Sequence, residues 1–112
     1  MKRIEATIPS AQLDDVKQRL FAVGAHGMTA ADVRRFPHPD GRREPERGSA
    51  HDLDGVPKVH VQVVADDEMV HPIVEAILAA ARRGGNDEGQ ILISTINEII
   101  RIRTGERGLD AL

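Results

Sequence analysis

The residues best suited to chemistry in this chain are cationic and few. Arg101 and Arg103 alternate in IIRIR (99–103), so a strand there directs both guanidinium groups to one face. Two forks aligned in this way make a phosphate clamp, since each engages two oxygens, although a solvated strand face is the ordinary reading of such a pair. Lys58 opens another alternating run, KVHVQVV, directly behind a long polar segment. The turn GGNDEG (84–89) can lay backbone N–H groups against an anion, but it lacks the P-loop pattern.

Other constellations have bland explanations. His26, His38, His51, His60 and His71 lack the HxH or HxxxH spacing of local metal sites, so no metal site is expected. Only His38 and His51, which share one loop, offer a version open to test. No Ser-His-Asp arrangement stands out from chance, and the pairs Asp14-Asp15 and Asp66-Asp67 open helices, where capping and the dipole explain them. The chain does not read as an enzyme.

These side chains must be held by one domain of 112 residues, with 15 basic and 18 acidic residues and a net charge of −3. That balance argues against nucleic acid as a partner. The absence of cysteine excludes a disulfide framework and fits a reducing cytoplasm. MKRIEATIP has no apolar run of signal-peptide type, and no stretch is long enough to insert into a membrane. A cytoplasmic, soluble protein is expected. With Phe21 and Phe36 as the only aromatics, its core must be aliphatic.

Two halves follow from periodicity. Ile4, Ala6 and Ile8 alternate with Arg3, Glu5 and Thr7 as in a half-buried strand. Pro9 closes it, Ser10 is a plausible N-cap, and Leu13, Val16, Leu20 and Val23 recur at helical spacing before Gly24. Residues 28–36 read as a second strand and 58–64 as a third. Asp66 or Asp67 is placed to cap a helix carrying Val70, Ile73, Val74, Ile77, Leu78 and Ala81, and ILIS (91–94) is a fourth strand. A duplicated strand–helix–strand pattern implies an α+β, ferredoxin-like βαββαβ sandwich: an antiparallel sheet with both helices on one face. The other face presents Arg3, Glu5, Lys58, His60 and Gln62. Between the halves runs HPDGRREPERGSAHDLDG (38–55), with three basic and five acidic residues; a loop so long in so small a domain calls for a function.

The segments MKRIEATI, LDDVKQRL, GAHGMT, ERGSAH, GVPKVHVQVV and above all IIRIRTGERG resemble the PII nitrogen-regulatory signal-transduction family, without obvious gaps from Met1 to Leu112. The resemblance implies a single domain over 1–112, a homotrimer, nucleotide sites in the clefts between subunits, and a T-loop at about 37–55 that contacts partners. Such proteins are not enzymes. They sense ATP, ADP and often 2-oxoglutarate, and regulate ammonium channels, other transporters or enzymes of nitrogen metabolism. Position by position, it implies nucleotide contacts at Thr29, Gly89, Arg101 and Arg103, a 2-oxoglutarate contact at Lys58, and Arg47-Gly48 at the loop tip.

This sequence also departs from the family pattern. Arg35 and Pro37 stand where the family has glycine at the loop base, and Pro39 replaces the glutamine that coordinates magnesium beside 2-oxoglutarate. His38 replaces an arginine on the phosphate side, and Gln90 replaces a lysine that contacts the phosphates. Each lost charge-assisted contact is worth roughly 1.5–3 kcal/mol, so weakened ATP affinity and a shift toward ADP or AMP are expected. Magnesium and 2-oxoglutarate binding are both put in question. His51 occupies the place of the modified tyrosine, and the chain has no tyrosine at all. Ser49, in RGS, matches a position that some relatives phosphorylate, although serine is common in polar loops. An alternative is therefore an interaction module of PII type with lost or altered effector binding, acting on a partner outside nitrogen metabolism.

Overall fold

The computed structural model describes residues 1–36, 55–83 and 89–112. Its strands are β1 (Lys2–Ile8), β2 (Thr29–Arg35), β3 (Val56–Ala65) and β4 (Ile91–Thr95); its helices are α1 (Leu13–Ala22) and α2 (Val70–Arg83). The sheet order is β2-β3-β1-β4 and every pairing is antiparallel. This is the expected ferredoxin-like sandwich.

Strand periodicity makes the layers. Ile4, Ala6 and Ile8 of β1 and Val59, Val61, Val63 and Ala65 of β3 all turn to one face, where they meet Val16 and Leu20 of α1 and Ile73 and Ile77 of α2. On α2, Ala76 and Ala80 are the other buried contacts, while Leu78 and Ala81 are only partly covered. Small residues there let the helix approach the sheet closely. β2 is exposed along almost its whole length, with only Val33 partly covered, because it is an edge strand that neither helix overlies. This accounts for its weak alternation.

Several local expectations need correction. Ser10 does not cap α1; a 3-10 turn over Ser10–Gln12 leads into the helix, and no side chain caps either element. A second 3-10 turn, Asp67–Met69, precedes α2, and Asp66 at its N-cap makes no side-chain hydrogen bond. Val23, assigned to the buried stripe, lies past the last turn of α1 and is exposed. Gly24 does end α1 as expected: at φ +95 it donates to the Phe21 carbonyl, while Ala25 donates to that of Leu20, the paired bonds of a Schellman motif.

The largest change concerns IIRIR. Ile100 pairs with Arg107 in an isolated bridge, and the chain then turns back on itself. The Arg101 N–H donates to the Glu106 carbonyl at 2.8 Å, and the Gly105 N–H to the Arg101 carbonyl at 2.7 Å. Gly105 takes φ +74, a left-handed geometry that glycine adopts without a Cβ penalty. Arg101 and Arg103 are therefore not successive outward positions of one strand.

Candidate functional site

Register brings distant residues together on the sheet face that the helices leave open. His60 of β3 lies opposite Thr7 of β1 and Ala31 of β2, while Lys58 lies opposite Val33. Arg35 is two residues beyond Val33, so it neighbours Lys58 diagonally on the same face. A cavity of about 150 Å³ opens here, lined by Thr7, Arg35, Lys58 and His60 together with Gly89, Gln90 and Leu92 at the entry to β4. Among the described residues, Glu5 is the one carboxylate in its wall.

That carboxylate is already engaged. Glu5 Oε1 lies 3.1 Å from His60 Nε2, and Oε2 lies 3.4 Å from Arg3 Nε. A carboxylate only accepts, so His60 donates through Nε2–H, and its Nδ1 lies 3.4 Å from the Thr7 hydroxyl. With Glu5 engaged by His60 and Arg3, Lys58 and Arg35 are the cations that line the cavity among the described residues. Among the described residues neither of them forms an ion pair.

On the helix side of Gly89 and Gln90 lies a second cavity, of about 450 Å³, walled by Ile8, Ile77, Leu78, Ala81 and Ile91 with Arg82 at its rim. Aliphatic walls of this kind do not suit a polyanion.

The candidate residues read from the sequence divide between places. Lys58, Gly89 and Gln90 share the smaller cavity. Thr29 is elsewhere, at the far end of β2 opposite Gln62. Arg101 is tied into the C-terminal turn: its Nη2 donates to the Leu112 carbonyl at 2.7 Å, and its Nη1 lies 3.7 Å from Glu106. Arg103 is exposed in the same turn. Within one chain, these three do not line the cavity that holds Lys58. His38, Arg47, Gly48, Ser49 and His51 lie outside the described residues, as does 84–88 of the polar turn. Among the described residues no three His, Cys, Asp or Glu converge as metal ligands, and no helix is long and apolar enough to cross a membrane.

Arg35, His60, Glu5 and Thr7 were not singled out as ligand groups from the sequence. Alternation did place Glu5 and His60 on the open face. Their adjacency depends on pairing across more than fifty positions, which periodicity does not encode.

A family model for nitrogen regulatory protein P-II matches residues 1–106. The chain belongs to the P-II family. It is 45% identical to the nitrogen regulatory protein P-II of Rhizobium meliloti (strain 1021) over 112 residues, covering all of both chains. The P-II protein of Cereibacter sphaeroides is likewise 45% identical, and that of Azospirillum brasilense 41%, again over the full length of each. P-II membership places the chain among regulatory, signal-transducing proteins, and the four-stranded sheet with two helices agrees with the fold of that family.

Proposed function

We propose that this chain is a nitrogen signal-transduction regulator that senses adenine nucleotides and controls a partner protein through the loop between β2 and β3. The observation carrying this reading is the full-length match to P-II proteins; Thr29, Gly89, Arg101 and Arg103 are the residues that the family resemblance would assign to the nucleotide. In a homotrimer, these residues from neighbouring subunits would share a cleft, with Arg101 and Arg103 facing phosphate oxygens and Thr29 on the nucleoside side. Support for assembly comes from the exposed aliphatic residues Leu92, Ile93, Ile100 and Ile102, and from the edge strands β2 and β4. A transporter such as an ammonium channel, or an enzyme of nitrogen metabolism, is the partner class, and the cytoplasm is the compartment.

Gln90 favours a second reading, an interaction module with altered effector binding. A neutral amide lines the cavity in place of a cation, so ATP binds more weakly and ADP or AMP competes better. Calorimetric titration with ATP, ADP and AMP, each with and without magnesium, separates the two. Nucleotide binding that is lost in Arg101→Gln supports the sensor. No response to any nucleotide removes the sensor and leaves the module.

A further inference from the structure

We infer that the larger cavity, on the helix side of the sheet, is a binding site for a medium-chain alkyl carboxylate. The alkyl chain lies between α2 and the sheet, and the carboxylate lies on Arg82. This goes beyond the regulator reading and does not depend on nucleotide binding.

The fold makes the space. α2 packs across β1, the neighbour of the edge strand β4, and near its C-terminal end it offers only the methyl of Ala81 to the wall. Ile8 and Ile77, each 2% exposed, together with the partly covered Leu78 and Ile91, complete an aliphatic lining. The cavity holds about 450 Å³, within the about 300–1,000 Å³ of pockets that take small molecules. Branched walls without an aromatic ring supply dispersion and exclude water but give no stacking surface, which favours a flexible alkyl chain over a planar ring. The same walls reject a phosphate, whose oxygens would lose water without gaining partners. The sequence that joins α2 to Gly89 is Gly-Gly-Asn-Asp-Glu, so that segment brings no apolar side chain of its own.

Charge decides which end of the ligand lies where. Among the described lining residues Arg82 is the only charged one, and it is exposed at the rim. A guanidinium there receives a carboxylate through two parallel N–H···O bonds while the head group stays in contact with water. The C-terminal end of α2 carries partial negative charge, which works against an anion. The full charge and bidentate geometry of Arg82 outweigh it.

The test is calorimetric titration of the full chain with octanoate, decanoate and decanol, each below the concentration at which it aggregates. Decanoate should bind roughly tenfold to fifteenfold more tightly than octanoate, the fold-change of burying two further methylenes. Arg82→Gln should weaken decanoate by roughly threefold to tenfold, between the loss of an exposed ion pair and that of a charge-assisted hydrogen bond. It should leave decanol unchanged. Ala81→Leu, which fills the cavity with a larger side chain, should abolish binding of all three. Arg82 is exposed and Ala81 partly so, and circular dichroism without ligand verifies that both variants fold. Should Ala81→Leu misfold, the chain-length contrast and Arg82→Gln still decide. Four results overturn the inference: no binding of either carboxylate, equal affinity for octanoate and decanoate, full decanoate affinity in Arg82→Gln, or undiminished binding in folded Ala81→Leu. A protein that binds decanoate but no nucleotide loses the sensor reading and keeps this site. Nucleotide binding without decanoate binding does the reverse.

Discussion

At the scale of single residues, two positions carry consequences that composition does not reveal. Gly55 follows the long polar segment at φ +84, and a Cβ there would stand 2.9 Å from Phe36 Cζ and 3.1 Å from Arg34 Cβ. Gly55→Ala should therefore lower stability by about 1–3 kcal/mol in urea unfolding. Adding Phe36→Ala should recover only the steric share, since the backbone strain persists. Asp67 shows the other kind of effect. Its Oδ1 accepts a 2.9 Å hydrogen bond from the Met1 amine, and this contact holds the carboxyl below its ordinary value of 3.8. A depressed carboxyl stabilises the fold above its unfolded-state value and loses that contribution as pH falls through the folded one. The melting-temperature gap between the wild type and Asp67→Asn should accordingly stay constant at neutral pH and close in acid below 3.8.

At the scale of elements, burial rather than residue type decides what a side chain is worth. Ile77 on α2 is 2% exposed within the aliphatic core, whereas Ile102 in the C-terminal turn is fully exposed. Ile77→Ala should cost about 2–5 kcal/mol through lost transfer energy and the cavity left behind. Ile102→Ala in a single subunit should change stability by less than about 0.5 kcal/mol. Denaturant midpoints of the two variants check the contrast. The elements themselves were mostly legible, because alternation in β1 and β3 and the helical spacing in α1 and α2 are strong and local. IIRIR was misread as a strand because its own alternation is genuine. The competing signal was Thr104-Gly105 just beyond it, which permits the left-handed turn that folds Arg101 back onto Glu106. Both helix starts were misread for a related reason: a polar residue in front of each helix suggested a side-chain cap, where the chain uses a 3-10 turn.

At the scale of the whole molecule, the exposed Leu92, Ile93, Ile100 and Ile102 line up with the proposal that copies of the chain assemble. Ile102→Asp should shift the mass found by light scattering from a trimer toward a monomer, while an unchanged trimer would free Ile102 from any part in assembly. The sequence by itself determined the strand and helix order, the buried faces of β1 and β3, and the family, since each rests on local period or on motif. It also placed Lys58 and His60 on the open face. Only the tertiary structure decided that Arg35, Lys58, His60, Gly89 and Gln90 share one cavity, and that Thr29, Arg101 and Arg103 stand apart from it in a single chain. Alternation tells a side chain which face to take. The neighbour it meets there is set by strand order and register, which join residues distant along the chain and leave no local trace.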